Sequence, residues 1–269
     1  MPYITKTLIS SEGCDASHEK RLSICLLADG FSFAQISSTG ELLSFGEVGG
    51  QHAAGMTDVS RDIKNYFAEV GIRPLTFGKL QLVLPSNESV WVPDEMYQAG
   101  SNRQYLRLVG GSGQNLMTAQ CPSLASTAVF SGNDQLVTAF KVSLPGLSVA
   151  NQHVRFASLA ASFSGSPVLL SHWREGYVDI AAYRDGRYVF GNTVSFTDES
   201  TALFHLVDVM KTYNLENNGT WMLMCGDVSR ERFAHFRPYF PSVGLFNGLV
   251  KTGGVFRTVH TYRHALILI

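Results

Sequence analysis

Apolar and polar positions change phase along this chain in a way that repeats. Leu22–Ile36 reads LSICLLADGFSFAQI, a continuous apolar run that passes into an alternating segment. Pro167–Tyr183 reads PVLLSHWREGYVDIAAY, with the same change. A short apolar run predicts a buried strand, and alternation predicts a strand with one covered face. Placing Gly30 on Gly176 puts Gly40 on Gly186. Each pair brackets a strand that ends in a turn, Ser38-Thr39-Gly40 in one copy and Arg184-Asp185-Gly186 in the other. Gly and Asp suit such turns because they tolerate positive φ. A third strand follows each turn, Glu41–Phe45 and Arg187–Phe190.

Helical periodicity comes next in both copies. Thr57-Asp58 and Thr197-Asp198 stand before the helices, with Thr as the expected N-cap and acid in the first turn. Val59, Ile63, Tyr66, Phe67 and Val70 share one helical face, as do Leu203, Leu206, Val207 and Met210. Another apolar strand follows each helix, Leu80–Leu84 and Trp221–Cys225. The chain therefore reads β-β-β-α-β twice, an α/β protein with a first lobe over 1–146 and a second over 147–269. The Gly-rich stretch 49–55 holds the residues by which the first copy is longer. Outside the repeat, Leu136–Val142 reads as a strand, Ala157–Phe163 as a short helix and Val255–Ile269 as one strand or a hairpin.

Composition sharpens this picture. With 45% hydrophobic and 16% charged residues and a net charge of −1, the chain can bury a core and is not disordered. Near-neutrality argues against a nucleic-acid binder. The charge shortage concentrates in residues 108–133, which carry no charged side chain. That stretch reads as a buried linker or covered edge sheet, or, if exposed, as a protein–protein interface. The basic residues Arg230, Arg232, Arg237, Lys251, Arg257 and Arg263 read as a solvated face. No apolar run is long enough to cross a membrane and no signal sequence is visible, so a bacterial cytoplasmic location is expected. Cys14, Cys25, Cys121 and Cys225 are too far apart for a zinc or redox motif.

A β-β-β-α-β unit in tandem resembles the ribonuclease H-like duplication at the core of the actin-like ATPases. Several segments carry a closer resemblance, to domain-of-unknown-function family 3822, a bacterial family with a predicted actin-like fold. They are Leu22-Ser23-Ile24 leading to Asp29-Gly30-Phe31-Ser32-Phe33, Trp91-Val92-Pro93-Asp94-Glu95-Met96-Tyr97, the run YVFGNTVSF from Tyr188, and Leu223–Ser229. The resemblance spans roughly residues 20–245 and implies a fold without an established activity.

In actin-like ATPases a tight turn after the first strand of each half holds phosphate, using Asp for the metal and Gly plus a hydroxyl for close backbone approach. The resemblance implies such a turn at Asp29, Gly30 and Ser32, with Asp29 near a metal. The matching place in the second copy is Glu175-Gly176. Gly226-Asp227 stands where the adenine base is expected. Phe31 and Tyr177 are bulky aromatics in both turns, and the Asp-x-Gly spacing is lost. The two turns therefore read as degenerate. A ribonuclease H-type nuclease needs clustered carboxylates, and Asp29, Glu175 and Asp179 are divided between the copies. The expected function is that of a non-catalytic binding or scaffold protein, with a protein partner or a second copy of itself and no cofactor. The alternative is a nucleotide-binding ATPase using Mg-ATP.

Overall fold

The computed structural model describes residues 3–10, 20–27, 30–50, 59–72, 77–215 and 219–269. The first lobe begins with β1 (Tyr3–Ser10), β2 (Arg21–Leu27), β3 (Gly30–Ile36), β4 (Leu42–Gly50), α1 (Val59–Glu69) and β5 (Lys79–Val83). An insertion follows, with β6 (Ser89–Pro93), α2 (Asn102–Leu108), β7 (Leu116–Cys121), β8 (Ser126–Ser131) and α3 (Asp134–Ser143), and then β9 (Ser148–Ala150). The second lobe contains α4 (Gln152–Ala157), β10 (Val168–Arg174), β11 (Tyr177–Arg184), β12 (Arg187–Ser195), α5 (Glu199–Thr212), β13 (Trp221–Gly226), α6 (Arg230–Phe236) and β14 (Val243–Leu245).

The duplication is present in the topology. The first sheet runs β1-β4-β3-β2-β5-β9 and the second β12-β11-β10-β13-β14. In both, an antiparallel three-strand meander continues into two parallel strands. The two differ at one edge, where β1 pairs antiparallel with β4 and extends the first sheet. The sequence pairing of glycines slips by one residue at the first hairpin. Leu27 pairs with Gly30, and Arg174 pairs with Tyr177, so Tyr177 and not Gly176 occupies the position of Gly30.

Strand alternation sorts side chains onto two faces. Leu22, Ile24, Phe31 and Phe33 point to an outer core with Tyr66, Phe67 and Phe140. Rings in that core meet edge to face, as Phe31 does with Phe140 at 5.8 Å. Each such buried ring contributes about 2–3 kcal/mol by area. Leu169, Trp173, Val178 and Ile180 do the same beneath α5 and α6 in the second lobe. The opposite faces of the two sheets meet across a shared core containing Cys25, Ile36, Phe45, Leu170, Tyr183 and Cys225.

Several segments differ from the sequence expectation. Leu136–Val142 lies inside α3, a helix capped by the Asn133 side chain, which accepts from the Leu136 N–H. The capping Asn decides the outcome over the apolar run. At α5 the cap is Asp198 rather than Thr197. Thr57, Asp58 and most of the Gly-rich stretch lie outside the described residues. Residues 108–133 contribute β7 and β8 to a small three-stranded sheet with β6. Met117, Ala119, Cys121, Ala128, Val129 and Phe130 are buried there, Thr118 and Gln120 face outward uncharged, and Leu108 and Val109 before the strands are exposed.

The largest difference is at 255–269, where two stretches of 3-10 turn, Gly254–Thr258 and Thr261–Ile267, replace the expected strand. Ala265–Ile269 are buried in the shared core between the two sheets. The buried Arg155 side chain donates from Nε to Leu266 O at 3.2 Å and from Nη2 to Ile269 O, while Leu268 O accepts from the Leu249 and Val250 N–H groups.

Candidate functional site

Above this C-terminal wedge, the facing sides of the two sheets enclose a cleft of about 860 Å³. Ser32, Glu175, Gly226 and Asp227 all line it, together with Cys25, Glu47, His172, Arg174, Tyr177 and Arg263. Asp29 lies outside the described residues. Gly30 opens β3, where an added Cβ would lie 1.9 Å from Val48 O, so close strand packing accounts for this glycine. Gly176 turns the β10–β11 hairpin at φ +68°, and its carbonyl accepts from Phe196 N. Phe31 does not enter the cleft. Alternation turns it to the outer core and leaves Ser32 facing inward.

Register sets equivalent residues at matching positions of the two sheets. Across β2, β3 and β4, Cys25 pairs with Ser32 and Ser32 with Glu47. Across β10, β11 and β12, His172 pairs with Asp179 and Asp179 with Thr193. The position of Ser32 is thus held in the second lobe by a carboxylate.

Asp179 is completely buried and accepts five hydrogen bonds. Arg174 donates from Nε to Oδ2 at 2.9 Å and from Nη2 to Oδ1 at 2.8 Å. His172 Nδ1 reaches Oδ2 at 2.8 Å, and Gln152 Nε2 and Thr193 Oγ1 reach Oδ1 at 2.9 and 2.6 Å. Burial opposes ionisation, but the bonds from His172 and Arg174 outweigh it and hold the carboxyl far below its ordinary range. The ionised oxygen is acceptor-only, so the His172 proton sits on Nδ1.

The same network ties the lobes together. Gln152 Oε1 accepts from Ser86 N at 2.9 Å while its Nε2 donates to Ser86 O at 2.6 Å. Arg174 Nη1 donates to Asn87 Oδ1 at 2.8 Å. Burial drives His153 down to about 4, so the ring is neutral at pH 7. Its Nε2 bonds Thr193 Oγ1 at 3.0 Å, one step from Asp179. In the sequence Asp179 is one of three strand-associated carboxylates with Asp29 and Glu175, and no motif there singles out His172, Arg174, Gln152 or Thr193. The available signal was parity, because His172 and Arg174 interrupt one face of β10, and Asp179 the matching face of β11.

Cys225 stands beside His172 in the parallel ladder, on the row that includes Asp179. Burial pushes its thiol well above the ordinary range, and the Asp179 charge adds to the effect. Cys25 is likewise pushed up to about 12 by burial. Neither is a thiolate nucleophile at neutral pH. Behind the cleft, Gly226 adopts φ +83° and an added Cβ would lie 2.3 Å from Trp173 O. The Asp227 N–H donates to that same carbonyl at 2.8 Å. Ser229 caps α6 by accepting from Arg232 N. Among the described residues no group of three or more His, Cys, Asp or Glu is arranged to hold a metal. No described helix is long and apolar enough to cross a membrane.

Two facing ribonuclease H-like sheets around a central cleft define the actin-like ATPase fold. A crystal structure from Bacteroides thetaiotaomicron, of a protein with that fold and unknown function, matches with TM-score 0.66 at 16% identity, covering 86% of this chain and 92% of its own. The PilM–PilN type IV pilus biogenesis complex matches with TM-score 0.55 at 10% identity, covering 93% and 97%. At the level of sequence, the model of the family described as "Protein of unknown function (DUF3822)" matches residues 12–243, and the chain belongs to that family. No curated protein matches.

Proposed function

We propose that this protein is a non-catalytic binding or scaffold protein built on the actin-like architecture. The observation that carries this reading is the state of Asp179. Its five hydrogen bonds use the carboxylate to fasten the second lobe internally and, through Gln152 and Arg174, to Ser86 and Asn87 of the first. A carboxylate saturated by cationic and neutral donors has no lone pair directed at a metal or its waters. The Gly226-Asp227 turn supports the same reading, since the Asp227 N–H and the close approach at Gly226 are committed to the Trp173 carbonyl. The fold is compatible with partner binding, because the PilM–PilN neighbour is itself a protein complex.

One observation favours the alternative, Mg-ATP binding. Ser32, Glu175, Gly226 and Asp227 converge on a cleft large enough for a nucleotide. Thermal unfolding with and without millimolar Mg-ATP separates the two. A ligand at 100 times its Kd stabilises by about 2.7 kcal/mol. The scaffold reading expects no shift, and a saturable rise in Tm overturns it.

A further inference from the structure

Cations gather without acids at the end of the first sheet's inner face that lies away from the cleft. Arg21 on β2 pairs with Lys79 on β5, and two residues further on Ser23 pairs with Gln81. Strand alternation puts all four on the same face as Cys25 and Val83, which belong to the core shared by the two sheets. Cys25 lines the cleft near the far end of β2, so Arg21 marks the opposite end. Arg155 reaches this end from α4. Its cation is disfavoured by burial and then by the Arg21 charge, and that of Lys79 by burial and then by Arg155 and Arg21.

Like charges held together and partly buried cost free energy unless an opposite charge joins them. Among the described residues no carboxylate side chain pairs with Arg21, Lys79 or Arg155. Arg155 is only 5% exposed. Its Nε and Nη2 donate to the main-chain oxygens of Leu266 and Ile269, and its Nη1 makes no hydrogen bond to a described residue. On the strands, Ser23 Oγ and Gln81 Oε1 are buried without a partner. The Ser23 hydroxyl can donate, and so can the Gln81 amide once its terminal O and N exchange places.

We infer that this cluster binds a tetrahedral oxyanion of the phosphate class, with Arg155 as the guanidinium fork, Arg21 and Lys79 as flanking cations, and Ser23 and Gln81 as neutral donors. A phosphate group carries more than one negative charge at neutral pH and so matches several cations better than a single carboxylate does. Its oxygens also suit the guanidinium fork. Lys79 is exposed and Arg155 buried, which sets the entry on the Lys79 side. Free phosphate and a phosphoryl group on a larger molecule share this chemistry. The site goes beyond the scaffold reading and lies at the other end of the sheet from the cleft, so its test stands whatever the cleft binds.

Thermal unfolding without magnesium or nucleotide, at constant ionic strength, reads the site. Millimolar inorganic phosphate is expected to raise Tm saturably, and acetate at the same ionic strength to leave it unchanged. Lys79→Gln and Arg21→Gln are each expected to keep the wild-type circular dichroism spectrum and to weaken phosphate about tenfold, as loss of a charged hydrogen bond does. Glycerol phosphate bound more tightly than inorganic phosphate assigns the site to a phosphoryl group, and the reverse order assigns it to the free ion. Absence of a saturable rise, an equal response to acetate, or a response unchanged in both variants overturns the inference. So does a response lost in Ser32→Ala, which places the anion in the cleft.

Discussion

Arg174 reaches diagonally across the β10–β11 hairpin to Asp179 with two parallel bonds, Nε to Oδ2 at 2.9 Å and Nη2 to Oδ1 at 2.8 Å. A bidentate guanidinium–carboxylate pair is the strongest arrangement open to these groups. One partner is wholly buried, so removing the carboxylate leaves Arg174 and His172 without their acceptor. Asp179→Ala is expected to destabilise the protein by about 3–5 kcal/mol in urea unfolding at pH 7. A loss below about 1 kcal/mol contradicts the clamp.

Gly226 and Gly176 both sit at positive φ, yet the structure assigns them different costs. At Gly176 nothing lies within 4 Å of an added Cβ, so Gly176→Ala pays only the backbone penalty of about 1–2 kcal/mol. At Gly226 the Cβ meets the Trp173 backbone, which cannot give way without moving β10. Gly226→Ala is expected to lose roughly 3 kcal/mol or more. Equal losses in the two variants count against the packing described.

Acid sensitivity follows from His153 and His264, which are pushed down to about 4, His264 by burial and then by Arg263 and His260 nearby. In the unfolded chain a histidine takes up its proton near pH 6.5. Between about pH 6.5 and 4 the unfolded state thus binds more protons, and stability falls as pH falls. For His153 the loss is roughly 3 kcal/mol across that window. Asp179 acts later, because a carboxyl held low in the folded state gives up its stabilisation only below about pH 4. Urea midpoints at pH 7, 5.5 and 4.5 are expected to decline steadily, with a shallower decline in His153→Gln. A flat profile contradicts a neutral, buried His153.

The repeat was legible because strand parity and helix period survive in single residues. Leu22, Ile24 and Phe33 mark the outer face of one sheet, and Leu169, Trp173 and Ile180 that of the other. What was not legible depended on long-range partners. Val255–Ile269 has the composition of a strand, but its conformation is set by the sheets on either side and by Arg155, more than a hundred residues away. The polar clamp was hidden for the same reason, since Gln152, Asp179 and Ser86 meet only after both lobes have folded. The Phe31 ring, a bulky neighbour of the expected phosphate turn in sequence, faces the other side of the sheet. Cleft residues must therefore be judged by parity before bulk.

The Asp179 clamp beside the cleft is proposed to serve the union of the two lobes and not nucleotide chemistry. Isothermal titration of Mg-ATP into the protein at pH 7.5 tests it most directly. No saturable heat is expected up to 1–2 mM, a range roughly one to two orders above the Kd of a working nucleotide site. Saturable binding at stoichiometry one, lost in Ser32→Ala or in Asp227→Ala, contradicts it and restores the cleft to nucleotide chemistry.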